Sequence, residues 1–159
     1  MRHVFRVVTL LKLALAALFV ILVFMQVVSL PGQFAHLAEE NPDRSELRWP
    51  LTAITIFWVL CAEIVIVAIW KLLDKVSADR IFSASSMLWV NLIVWTIGAA
   101  WIVLAGLFLA VGFTADDPGG PILLALLTTA GAVFGLLMLV MRALLRQATQ
   151  LRDDLDVVI

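Results

Sequence analysis

One acidic side chain stands deep inside an otherwise apolar stretch: Glu63, preceded by Leu60, Cys61 and Ala62 and followed by Ile64, Val65, Ile66 and Val67. A carboxylate in hydrocarbon costs a few kcal/mol on insertion scales, so it must be protonated or face other helices rather than lipid. Eight residues separate it from Lys71, about 12 Å along a helix. Asn91 and Trp95, in the third apolar stretch, lie at a comparable depth, whereas Gln26 falls near the far end of the first. Helical spacing sets Thr52, Ile56, Val59, Glu63, Ile66 and Trp70 on one face. Two chemistries fit an intramembrane polar site at Glu63 and Asn91. One is a proton- or cation-responsive carboxyl; the other is a neutral carboxyl hydrogen-bonded to Asn91 or to a Trp N–H, pinning two helices. No second carboxylate or polar path accompanies Glu63, which makes it a poor transport relay.

The remaining reactive residues are scattered. Cys61 is the single cysteine, so no disulfide can form within one chain, and its expected role is packing. His3 and His36 flank opposite ends of the first apolar stretch and cannot share a metal in one subunit. Asp116 and Asp117, in the turn from Thr114 to Pro121, read as capping acceptors more readily than as a cation site. No histidines, cysteines or paired carboxylates converge at one depth. The sequence therefore suggests no catalytic residue, no metal site and no cofactor, and argues against an enzyme.

The elements that position these residues are four apolar stretches, residues 13–30, 49–70, 87–113 and 121–141. A stretch of roughly 20 apolar residues is long enough to cross a bilayer. Together they account for a hydrophobic content of 64% and a mean hydropathy of +1.09, more than a soluble core of this size can bury. Soluble helices keep a charged face, yet residues 13–30 carry only Gln26 and Ser29 as polar side chains, and residues 121–141 only Thr128 and Thr129. Membrane strands would alternate apolar with polar over about 10 residues. Nothing here alternates. The expected fold is all-α: one integral membrane domain over residues 1–159, a four-span up-down bundle with a cytoplasmic amphipathic tail at residues 142–159.

Charge sets the expected orientation. Arg2, Arg6, Lys12, Lys71, Lys75, Arg80, Arg142, Arg146 and Arg152 fall on one side, and only Arg44 and Arg48 on the other. The positive-inside bias places both termini and the second connection in the cytoplasm. The first span, with its basic start, reads as a retained anchor, because its apolar run is long for a signal peptide and His36 spoils the nearest cleavage site. A net charge of -1 gives no footprint for direct nucleic-acid binding.

Short connections favour sequential antiparallel packing. The first, from Pro31 to Arg48, is the longest and most acidic, and accommodates either a short helix from Gln33 to Glu40 or a partner site. Gly131 and Gly135 form a G-x-x-x-G in the fourth span, and Gly106 with Ala110 repeats the small-residue spacing in the third. Such pairs let helix backbones approach closely in lipid. Contact within one chain is the expected use, a homo-oligomer through Gly131 and Gly135 the alternative. Trp49, Trp70 and Trp89 lie near span ends, as interfacial anchors do, and Trp58, Trp95 and Trp101 lie deeper.

Two cytoplasmic segments complete the sequence. The second connection carries Ile81 and Phe82, with Ser83 as the expected N-cap of the third span. In the tail, Leu144, Ala148, Leu151, Leu155 and Val158 recur at spacings of four and three, with polar residues on the other faces. That is an amphipathic helix continuing out of the fourth span. It is expected either to dock on the second connection or to present a stripe to a cytoplasmic protein. The segments Asp79 to Ser86 (DRIFSASS) and Leu151 to Ile159 (LRDDLDVVI) resemble those of the small bacterial four-span proteins grouped as domain of unknown function 2975. The resemblance covers the four-span layout and implies no activity and no catalytic residues. Members are often encoded beside a small helix-turn-helix regulator. The resemblance thus implies a membrane partner for a soluble DNA-binding protein, with Ile81, Phe82 and the tail stripe as the contact surface. The alternative is a small transporter or channel subunit that uses Glu63.

Overall fold

The computed structural model describes residues 2–40, 46, 48–78, 84–115 and 117–158. Among them the chain is all-α, without strands. Its elements are α1 (Arg2–Phe24), a π-helical turn (Met25–Ser29), α2 (Leu30–Glu40), α3 (Arg48–Ser77), α4 (Ala84–Thr114) and α5 (Gly119–Val158). Four helical runs are long and apolar enough to cross a membrane: Arg6–His36, Arg48–Ser77, Ser85–Thr114 and Gly119–Leu155. Their surfaces agree with that environment. Ile102, Leu126 and Phe134 are 67%, 65% and 55% exposed. Apolar surface on this scale is a liability in water and a match to lipid. The protein is a multi-pass membrane protein.

Polar side chains within the spans are largely satisfied by their own helix. Thr52, Thr96 and Thr128 each donate a hydroxyl hydrogen bond to the carbonyl four residues earlier, at 2.7, 2.8 and 2.7 Å. This back-bonding lets threonine sit in an apolar helix without an unpaired donor.

Two compact units divide the chain, residues 1–77 and 78–159. In the first, α1 and α3 pack antiparallel around Leu15, Ile66 and Leu73, with Val8, Phe19, Leu22, Ile69 and Trp70 against them. Lys12 Nζ donates to Asp74 Oδ1 at 2.6 Å, so the basic start of α1 and the basic end of α3 share one end of the unit. The charge pattern requires that adjacency. The pair itself is partly solvated and contributes at most about 1 kcal/mol.

The first span does not stop at Leu30. The helix continues through Pro31 to Glu40, so the part of the connection expected from Pro31 onward is helical as far as Glu40. The π turn is the physical reason. Pro31 has no N–H, and its ring crowds the carbonyl four residues back. Widening the turn just before it, so that the Leu30 N–H bonds Met25 O, relieves the crowding without ending the helix. The short helix anticipated from Gln33 to Glu40 is the latter part of α2.

In the second unit α4 and α5 form an antiparallel hairpin. Trp101 Nε1 donates to Thr128 O at 2.8 Å, and a Cβ on Gly131 would stand 3.0 Å from Trp101 Cδ1. Gly131 thus makes room for an indole from the neighbouring helix of the same chain. Gly135 is looser, with Ile97 Cγ2 3.9 Å from its notional Cβ, and Gly106 faces open space. The small-residue spacing in α5 serves contact within the chain. Gly131→Leu is expected to lower stability by about 1–3 kcal/mol through overpacking against Trp101. Trp101→Phe should cost about 0.6–1.7 kcal/mol for the lost hydrogen bond. Unfolding in mixed micelles measures both; an unchanged midpoint for Gly131→Leu would refute the indole contact.

The turn between α4 and α5 is short. The Ala115 N–H bonds Val111 O at 2.9 Å, and the Ile122 N–H bonds Pro118 O at 3.1 Å to open α5. Asp117 Oδ2 lies 3.1 Å from the notional Cβ of Gly119, over the start of α5. An acidic group there suits the positive end of a helix. Asp116 lies outside the described residues.

Candidate functional site

The face predicted for α3 is buried much as its spacing demands. Thr52, Val59, Glu63 and Ile66 are buried, and Ile56 and Trp70 are half-buried. A second buried line on the same helix runs through Cys61 and Ala68. Of the four spans, α3 is the most enclosed. Burial on two sides explains how this helix, and no other, carries an acidic residue midway along an apolar run.

Glu63 is 8% exposed, and its Oε1 is buried without a hydrogen-bond partner. On α4, Asn91 is half-buried, and its Oδ1 is also buried and unpartnered. An orphaned buried oxygen costs about 1–3 kcal/mol relative to a bonded one. Both groups thus hold unused acceptor capacity inside apolar spans, which a hydrogen-bond donor, a water or a cation could fill. Trp95, the other polar group expected near this depth, is 75% exposed. Cys61 is a free, buried thiol. Among the described residues no three histidine, cysteine or acidic side chains cluster as metal ligands would.

The second set of candidates belongs to α5. Its 40 residues extend about 60 Å, roughly twice the hydrocarbon thickness of a bilayer. As its periodicity predicts, the amphipathic tail is the uninterrupted continuation of the fourth span. Leu144, Leu151 and Leu155 are 54%, 65% and 65% exposed. Ala148 is half-buried, and Thr149 beside it is buried. The surface on which the leucine stripe is expected to dock falls largely on residues 79–83, which lie outside the described residues. Ile81, Phe82 and Ser83 lie outside the described residues, and Val158 ends the helix.

Sequence reasoning missed two arrangements. One is the Trp101–Gly131 contact, for which the G-x-x-x-G was a partial signal. The other is a groove between α1 and α3, lined by Leu15, Phe19, Ile66, Trp70 and Lys71 among others. The lysine and tryptophan side by side at a span end were its only sign.

The chain belongs to the family described as protein of unknown function (DUF2975), which matches residues 32–159. No curated protein matches the chain. No solved structure matches it either.

Proposed function

We propose that this member of the family is a membrane-embedded interaction protein that holds a soluble protein at the cytoplasmic face of a bacterial inner membrane. In this reading both termini are cytoplasmic and the partner contacts Leu144, Ala148, Leu151, Leu155 and Val158, with Ile81 and Phe82 from the second connection. A small helix-turn-helix regulator is the partner that the family resemblance implies. The observation that carries the reading is the exposed leucine stripe on the part of α5 that outruns the membrane. An amphipathic helix with one uncovered apolar stripe is a common docking element for a groove on another protein. The positive-inside bias supports the side on which it is presented. Purification of the full chain in mild detergent, beside a form lacking residues 147–159, tests it. A stoichiometric soluble partner lost with the tail is the expected result; the same partner retained by the truncated form would refute it.

A second reading, a small transporter or channel subunit, draws on the unpartnered buried oxygen of Glu63. Glu63→Gln keeps the shape of the side chain and removes its ionisation. In liposomes carrying a pH or cation gradient this variant should then lose flux at least tenfold with its fold intact. Flux equal to that of the unsubstituted protein would eliminate the reading.

A further inference from the structure

The first unit contains a groove with two chemically different ends. Leu15, Ala16, Phe19 and Val20 of α1 form one wall, and Ile66, Val67, Trp70 and Lys71 of α3 form the other, enclosing about 260 Å³. Seven of these eight residues are apolar, and the eighth is an exposed lysine. The helices run antiparallel, so Lys71 stands at the end where Lys12 meets Asp74. Arg6 and Lys75 lie toward that same end of their helices, and Asp74 is the one acidic residue there among the described residues of this unit. The rim is therefore net positive and the floor is hydrocarbon.

We propose that this groove is a binding site for an anionic phospholipid, with an acyl chain lying between α1 and α3 and the headgroup phosphate at Lys71. The occupant follows from the order of the parts. A groove that opens to the bilayer along an apolar wall receives an acyl chain from lipid already beside it. A cation at its mouth then selects among lipids by headgroup charge. Basic pockets between membrane helices bind anionic headgroups in this manner, each lysine near the surface contributing about fivefold in affinity. Trp70 adds an amphipathic ring at the depth where headgroup meets chain, the position tryptophan favours at a membrane interface. Lys12 is engaged by Asp74, which leaves Lys71 as the cation that itself lines the groove. A soluble anion would gain the lysine contact alone, without the apolar wall.

Native mass spectrometry of the full chain tests the site, after equilibration with equal amounts of phosphatidylglycerol and phosphatidylcholine in mild detergent. The unsubstituted protein should retain one phosphatidylglycerol in preference to phosphatidylcholine. Lys71→Gln should reduce that preference about fivefold, the effect of one lysine, with helical content and elution profile unchanged. Ala16→Phe fills the groove but keeps the lysine, and should lower retention of both lipids. The proposal is overturned if Lys71→Gln keeps the full preference, or if Ala16→Phe retains lipid as the unsubstituted protein does. It is overturned equally if millimolar inorganic phosphate strips the bound phosphatidylglycerol, since the site would then read a free anion rather than a lipid.

Discussion

Changing Leu151 and Leu155 together to aspartate is expected to weaken capture of a soluble partner at least a hundredfold while leaving the membrane helices folded. Both leucines are 65% exposed, so their removal forfeits little within the chain, and surface changes of this kind usually stay within about 0.5 kcal/mol. Against a partner the balance reverses. Burying each leucine contributes about 1.5–3 kcal/mol, and every 1.4 kcal/mol is a factor of ten in affinity. Losing both therefore removes about two to four orders of magnitude, before any repulsion from new charges beside Asp153 and Asp154. Co-purification in mild detergent, with circular dichroism as the fold control, measures the effect. Undiminished capture by the double variant would mean that the stripe is not the contact surface.

Replacing Glu63 by leucine is the second large expectation, and its sign is unusual. The substitution should raise stability by about 1–3 kcal/mol, because it removes a buried oxygen that lacks a partner and substitutes apolar volume of similar size. Most core substitutions destabilise. A gain here would identify Glu63 as a residue held against the interest of folding, as functional polar groups in membranes commonly are. Unfolding in mixed micelles supplies the measurement. A loss greater than about 1 kcal/mol would instead show that the carboxyl is bonded and structural.

The existence of the four membrane helices was legible because their cause is local. Each span is an unbroken apolar run, and hydropathy reads that directly. Their ends were less legible. Pro31 reads as a stop, yet the widened turn from Met25 to Ser29 carries the helix past it, a compensation that no residue type announces. The continuation of the fourth span past Arg142 was legible, because the apolar spacing from Leu144 to Leu155 keeps a helical period where hydropathy falls. The burial of Glu63 with Thr52, Val59 and Ile66 followed from helical spacing alone. Contacts between helices did not. Lys12 with Asp74, and Trp101 with Gly131, join residues 62 and about 30 positions apart. Periodicity along one helix carries no information about which residue of another will meet it.

The continuity of α5 has a mechanical consequence. From Leu136 to Val158 the helix contains neither proline nor glycine, the residues at which sharp kinks usually arise. The span and its extension therefore move as a single shaft. An axial slide near Gly135 is delivered to Leu155 at full amplitude. A twist delivered there swings the leucine stripe through the same angle. Whatever displaces the lipid-embedded half, whether a change in bilayer thickness or a shift of α4 against Gly131, is thus transmitted as torque and thrust to the end that outruns the membrane.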